Sequence, residues 1–181
     1  KGHVFYRTEE VQRILYAMSK LPGAAVFSTM IMTGIPLWGV LSLSYDRIDY
    51  EMKTITVAQR LEDNGSRISY DVDKFDYVVY MPAGLKKILS HESRVQERCM
   101  AIRHGEWSNP NRLVFTDGYG RPIKTKYIER QYSDLRKLSG INSLSMYSLR
   151  SHYIMSSLKY TDHVPEVVRM AGFVKESSII P

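Results

Sequence analysis

Lysine and arginine side chains are concentrated in one stretch of this chain, where they are suited to holding phosphate groups. Residues 119–160 carry eight Lys or Arg against two Asp or Glu, while residues 1–118 carry fifteen against fourteen and residues 161–181 two against three. A local cationic surface favours a polyanion, most simply nucleic acid, because each cation placed on a phosphate releases a counterion. The alternative is a solvated basic helix face. The side chains expected to approach phosphates are Lys124, Lys126, Arg130, Arg136 and Lys137.

Metal and cofactor chemistry is not indicated by the sequence. Cys99 is the only cysteine, so it cannot form an internal disulfide, and no Cys/His cluster has zinc spacing. We therefore predict that the chain holds neither a metal nor a cofactor. Cys99 is predicted to be a small core residue.

Length and composition indicate one globular domain spanning residues 1–181. The chain has 181 residues, of which 44% are hydrophobic, enough to close a substantial core. Its longest apolar run, near residues 24–32, is too short to span a bilayer, and its first residues lack the apolar core of a signal peptide. We expect a soluble cytoplasmic protein with no membrane partner.

Hydrophobic periodicity predicts helices in the first part of the chain. Thr8 is placed to cap the first one. One face of that helix is expected to consist of apolar residues three and four apart: Val11, Ile14, Leu15 and Met18. Residues 24–32 are apolar on nearly every side, which predicts a central helix ending at Gly34. Pro36 fits the first turn of a short helix that follows.

The rest of the chain predicts a small sheet followed by further helices. Residues 49–59 and 68–81 are rich in Ile, Val, Thr and Tyr and are predicted to pair as antiparallel strands around a turn at residues 62–66. An apolar segment, residues 113–115, precedes a turn at residues 117–120. Helices are predicted from Pro82 towards Gly105 and over residues 125–139, 148–159 and 165–171. The fold class is mainly α with a small antiparallel β-sheet.

Four stretches, in this order, resemble the catalytic domain of tyrosine recombinases, the family that includes phage integrases. They are YRTEEVQRILYAM at 6–18, TGIPLWGVLSLSYDRIDYEMKTITV at 33–57, NRLVFTDGYGRPIKTKYIERQYSDLRKLSGI at 111–141 and SLRSHYIMSSL at 148–158. The resemblance covers nearly the whole chain and implies the fold of the DNA breaking-rejoining enzymes. It also implies that an amino-terminal DNA-clamping domain is missing from this chain.

The resemblance assigns positions on this sequence to two catalytic arginines of the family, and only the second position holds an arginine. Cleaving a phosphodiester through a covalent intermediate needs a nucleophilic hydroxyl, cations on the phosphoryl oxygens and an acid for the leaving group. The position of the family's first arginine holds Pro36, and its acidic neighbour is replaced by Gly39. Arg150 matches the second arginine. The histidine of the same box is replaced by Tyr147, which can donate a hydrogen bond but cannot relay a proton near neutral pH.

The remaining family positions are also altered or loosely matched. Phe173 stands where the family has a histidine or tryptophan, and Lys74 is nominated as the hairpin lysine, although an exposed hairpin lysine beside acidic residues is an equal alternative. His152 is a possible substitute for the missing histidine, but its spacing from Arg150 favours a structural role. The family's nucleophilic tyrosine would fall just past Pro181, while Tyr153 lies at a buried aromatic position of the family.

These positions indicate a DNA-binding regulator, similar to the integrase-like master repressors of SPβ-type prophages, on a degenerate recombinase domain. Efficient cleavage is not expected, because several phosphate-stabilising donors are absent. The expected partner is double-stranded DNA, contacted by the basic stretch and by Arg150, with Gln131 as one candidate for sequence readout. The setting would be a bacterial cell, with the gene on a prophage or other mobile element.

Two other functions stay open from the sequence alone. One is an active integrase that uses a tyrosine beyond Pro181. The other is a protein-interaction module whose basic surface meets an acidic partner. Ile179 and Ile180 suggest self-association through the carboxy-terminal segment, although an intramolecular strand or a disordered end is the simpler expectation.

Overall fold

Six α-helices and five short strands are formed by the part of the chain that the computed structural model describes. This part comprises residues 6–61, 67–69, 77–159 and 167, and side chains at 59–61 and 67–69 lie outside the description. The helices are α1 (Thr8–Met18), α2 (Ala24–Thr33), α3 (Leu37–Leu41), α4 (Ala83–Arg103), α5 (Thr125–Ser139) and α6 (Met146–Leu158). The strands are β1 (Ile48–Asp49), β2 (Thr54–Val57), β3 (Gln59–Leu61), β4 (Arg67–Ser69) and β5 (Tyr77–Tyr80). A mainly helical fold with a small antiparallel sheet is therefore confirmed.

Helix α1 begins one residue earlier than predicted, and its exposed face also differs from the prediction. Arg7 is the N-cap, and its backbone N–H donates to Oε2 of Glu10 at 2.9 Å, so Thr8 is the first helical residue and not the cap. Ile14 is fully buried, whereas Leu15, predicted on the same face, is 45% exposed. The reason is that α2 and α6 leave an open groove of about 330 Å³ beside Leu15.

Helix α2 lies at the centre of the domain, as its uniformly apolar sequence predicted. Phe27 and Met30 are buried in the core, and the helix packs against α1, α3, α4 and α6. Gly34 ends it with φ of +70°, a left-handed conformation that suits glycine. Pro36 is the N-cap of α3, one position before the predicted first turn.

The sheet is antiparallel and is interrupted where one long strand was predicted. Strands β1, β2 and β5 form one sheet in the order β1-β2-β5, and β3 pairs with β4. Ile55 lies opposite Val79, and Val57 lies opposite Tyr77. These four side chains are buried, so one face of the sheet covers the core and fixes the register.

Helix α4 follows Pro82 as predicted, but only its beginning reaches the core. Leu85 and Leu89 are buried, whereas Ile102, near the other end, is 74% exposed. Cys99 is accordingly half-buried on the outer part of this helix and is not the core residue that was predicted.

The segment after α4 is buried without forming a strand. Leu113 pairs with Ser44 in an isolated bridge, and the N–H of Val114 donates to the carbonyl of Leu43 at 2.9 Å. The predicted turn is present, since the N–H of Gly120 donates to the carbonyl of Asp117 at 3.1 Å.

The last two described helices position the candidate site. Helix α5 has the predicted bounds and ends at Gly140, whose φ is +66°. Helix α6 starts two residues earlier than predicted, because Ser145 caps it. The helix predicted over residues 165–171 lies outside the described residues, apart from the buried Val167. Within the described part, no helix is long and apolar enough to cross a membrane.

Candidate nucleic-acid interface

Helix α5 carries a row of cations on the side that faces away from the core. Its buried residues are Ile128, Gln131, Leu135 and Ser139. With about 100° of rotation per residue, Lys126, Arg130 and Lys137 fall within roughly 40° of one another on the opposite side. All three side chains are exposed. We call these three residues the α5 cation row.

The other two predicted cations flank this row. Lys124 is the N-cap residue of α5 and is exposed, as is Arg136 near the other end of the helix. Lys137 lies 4.0 Å from a carboxylate oxygen of Asp134, but both side chains are mostly in solvent. Such an exposed ion pair is weak, so the surface of α5 stays predominantly positive.

Gln131 does not belong to this surface, and its predicted role in sequence readout is wrong. The side chain is 6% exposed, and its Oε1 accepts a hydrogen bond from the backbone N–H of Gly23, 108 residues away. Gly23 is the N-cap of α2. Gln131 therefore satisfies a helix N-terminus in the core, where a polar group must find a partner.

Arg150 lies in the second turn of α6, a helix whose first turn is closed by a reciprocal cap. The N–H of Ser148 donates to Oγ of Ser145 at 3.0 Å, and the N–H of Ser145 donates to Oγ of Ser148 at 2.7 Å. Arg150 is half-buried. Burial lowers the pKa of its guanidinium, while electrostatic coupling to Tyr77 and Tyr147 acts in the opposite direction. An arginine stays charged under such shifts.

Tyr77 was not identified from the sequence as a neighbour of Arg150. It begins β5 and its side chain is buried. Burial raises the pKa of Tyr77 to about 12, although Arg150 lowers it, so the hydroxyl is neutral at physiological pH. Strand and helix are distant in sequence, and no local pattern signals that they meet. Tyr147, at the predicted histidine position, is 41% exposed.

Pro36 and Gly39 occupy a closely packed corner where the family's first arginine and its acidic neighbour are expected. Pro36 brings no charge to this position and precedes α3. Gly39 is buried, and a Cβ atom placed on it would lie 2.8 Å from Cγ2 of Ile35 and 3.1 Å from Cγ1 of Val57. The space that an acidic side chain would need is therefore filled by apolar neighbours.

His152 joins α6 to the segment that precedes α1. Its Nδ1 accepts a hydrogen bond from the backbone N–H of Tyr6 at 3.3 Å, and its Nε2 lies 3.4 Å from Oγ of Ser156. Burial lowers the pKa of His152, and the charge of Lys159 lowers it further. These contacts support the structural role that its spacing from Arg150 suggested.

Lys74 and Phe173 lie outside the described residues, as do Ile179 and Ile180. Tyr153 packs on the backbone of Gly34, where an added Cβ would lie 2.5 Å from Cδ1 of its ring. Among the residues that the structure describes, no group of His, Cys, Asp and Glu side chains could hold a metal ion.

Comparisons with solved structures identify the fold. XerA recombinase superposes with a TM-score of 0.75 at 19% sequence identity, over 98% of this chain and 59% of that one. The Tn1549 transposon integrase in complex with transposon right end DNA gives a TM-score of 0.75 at 12% identity, over 99% and 61%. A lambda integrase dimer bound to a COC′ core site gives 0.59 at 15% identity, over 99% and 59%.

These similarities show that the chain has the fold of tyrosine recombinase catalytic domains. The chain spans about three fifths of the length of these three structures. No protein-family model matches the sequence, and no curated protein gives a significant sequence match.

Proposed function

We propose that this protein binds duplex DNA without efficient cleavage and acts as a repressor-like regulator of a prophage or another mobile element. The observation that carries the proposal is the α5 cation row, which lies opposite the buried face of its helix. Three exposed cations along one side of a helix suit a phosphate backbone, whose neutralisation releases counterions. Lys124, Arg136 and Arg150 would add contacts to the same strands.

The arrangement around α3 supports binding without chemistry. Pro36 supplies no donor, and the packing of Ile35 and Val57 leaves no room for a side chain at position 39. Tyr147 stands at the position where the family has a histidine that relays a proton. The loss of one phosphate-stabilising donor typically slows an enzyme by about a hundredfold to a thousandfold, and several such losses act here on one transition state.

The solved structures with this fold support DNA as the partner and a mobile element as the setting. One is a transposon integrase bound to transposon DNA, and another is lambda integrase bound to a core site. A protein that keeps such a scaffold but does not cut its site would block access by other proteins. Fold alone does not establish function, whereas an assay of DNA binding and cleavage measures it directly.

The test combines gel retardation with an assay for covalent adducts, using the full-length protein and DNA from its own element. We expect salt-sensitive retarded complexes and no adducts. The triple variant Lys126→Ala, Arg130→Ala, Lys137→Ala should reduce the slope of log affinity against log salt by roughly 2 to 3, at about 0.9 per phosphate contact.

A matched control removes the same charge from another exposed surface. The triple variant Lys86→Ala, Lys87→Ala, Arg94→Ala changes exposed residues of α4 and should leave the slope near that of the wild type. Covalent adducts in the wild type would instead establish an active integrase. The absence of retardation at low salt would contradict DNA binding and favour a protein-interaction module.

A further inference from the structure

Two arginines from separate parts of the chain meet at one tyrosine. The guanidinium carbon of Arg103, the last residue of α4, lies 4.1 Å from the ring centroid of Tyr119, and that of Arg121 lies 5.1 Å from it. Nη1 of Arg103 also donates a hydrogen bond to the Tyr119 hydroxyl at 2.9 Å. The two cations are therefore held within about 9 Å of each other.

The turn that carries Tyr119 is fixed by its own hydrogen bonds. Oδ1 of Asp117 accepts from the N–H of Tyr119 at 2.8 Å and from that of Arg121 at 2.9 Å. The carbonyl of Tyr119 accepts from the N–H of Ser108 at 2.9 Å. Gly120 has φ of +80°, and an added Cβ would lie 2.6 Å from the Ser108 carbonyl oxygen. Tyr119 is thus a preorganised platform for both guanidinium groups.

The two arginines concentrate positive charge at an exposed surface. Both side chains are exposed, and among the residues that the structure describes no carboxylate lies within 4 Å of either guanidinium. Cation–π attraction to one ring offsets part of their mutual repulsion. A bound anion would offset the rest.

We infer that Arg103 and Arg121, positioned by Tyr119, form a binding site for backbone phosphates of duplex DNA. The planar fork of an arginine matches phosphate oxygens in a bidentate geometry. DNA is favoured over an acidic protein because Lys124 and the α5 cation row follow directly in the chain. This inference rests on the proposed function and adds Arg103, which lies outside the basic stretch that the sequence indicated.

The test compares two double variants in gel retardation over a salt series, with the full-length protein and the same DNA. Arg103→Ala with Arg121→Ala should reduce the log–log salt slope by roughly 1 to 2 and weaken binding several-fold. The control, Lys87→Ala with Arg94→Ala, removes two exposed cations about 160° and 180° around α4 from Arg103 and should bind like the wild type.

Two variants of Tyr119 separate the positioning of the arginines from their charge. Tyr119→Ala removes no charge but releases both guanidinium groups, so we expect weaker binding than in the wild type. Tyr119→Phe keeps the ring and should lose less. Circular dichroism of each variant checks that it is folded.

The outcomes distinguish this inference from the proposed function. If the wild type is not retarded at any salt concentration, DNA binding itself is wrong. If the wild type is retarded and the Arg103/Arg121 variant has the same slope as the control variant, only the phosphate site is overturned. Wild-type affinity in Tyr119→Ala would overturn the role of the ring as a platform.

Discussion

At position 39, packing opposes any side chain larger than that of glycine. Gly39 lies inside α3, where alanine would ordinarily be more stable than glycine by about 1 kcal/mol. Here a Cβ atom would overlap with Cγ2 of Ile35, a side chain that is fully buried. Overpacking of a core typically costs about 1 to 3 kcal/mol, and the contact of 2.8 Å at position 39 favours the unfavourable effect over the gain in helix propensity.

We therefore predict that Gly39→Ala lowers the free energy of unfolding by up to about 2 kcal/mol, measured by urea denaturation. Gly118→Ala is the matched control, because a Cβ there meets no atom within 4 Å. An acidic side chain at position 39 should destabilise more, since it adds a carboxylate to an apolar space. A Gly39→Ala variant as stable as the wild type would show that Ile35 and Val57 shift at little cost to accommodate the added Cβ atom.

At the scale of elements, α5 has two opposite sides with different roles. Its buried side holds α2 in place through Gln131, and its exposed side carries the α5 cation row. Stability and DNA binding should therefore respond to different substitutions on this one helix.

Gln131→Met should lower the free energy of unfolding by about 1 to 3 kcal/mol, because the buried N–H of Gly23 loses its acceptor. Its effect on DNA affinity at a temperature where the protein is folded should be small. Lys126→Met, on the exposed side, should weaken DNA binding and leave stability nearly unchanged. Urea denaturation and gel retardation measure the two effects. A changed sequence preference in a fully stable Gln131→Met variant would restore the readout role.

At the scale of the whole molecule, the segment before α1 is hydrogen-bonded to α6. The hydroxyl of Tyr6 donates to Oγ of Ser148 at 2.5 Å, across 142 residues of sequence, and the Tyr6 N–H donates to His152. Tyr6 is only 2% exposed. The start of the described chain is thus joined to the helix that carries Arg150.

This contact should make stability depend on pH. Burial lowers the pKa of His152 in the folded protein. In the unfolded chain this imidazole takes up a proton near pH 6.5, whereas in the folded protein it does so only at a lower pH. The stabilisation that neutral His152 contributes is fully present above about pH 6.5 and is lost as the pH falls through the lower pKa of the folded state. Protonation would also remove the Nδ1 acceptor used by Tyr6.

We predict that the wild type loses more stability between about pH 7 and pH 5 than His152→Gln does, measured by urea denaturation at each pH. The same substitution at His91, an exposed residue of α4, should keep the wild-type pH dependence. Equal pH dependence in the wild type and His152→Gln would exclude His152 as the titrating group.

The sequence alone determined the features that depend on neighbouring residues. Apolar periodicity and the breakers Gly34, Pro82 and Gly140 set the bounds of most helices, because capping and backbone conformation are local. The surplus of cations in residues 119–160 was likewise found from the sequence alone. The assignments of Lys74 and Phe173, and self-association, stay predictions.

Only the tertiary structure decided which side chains meet across long stretches of sequence. It buried Gln131 against Gly23, filled the space at Gly39 with Val57 and brought Arg103 to Tyr119. It also left Leu15 beside an open groove. The physical reason is that packing joins residues far apart in the chain, and their partners leave no periodicity or spacing that a local pattern could reveal.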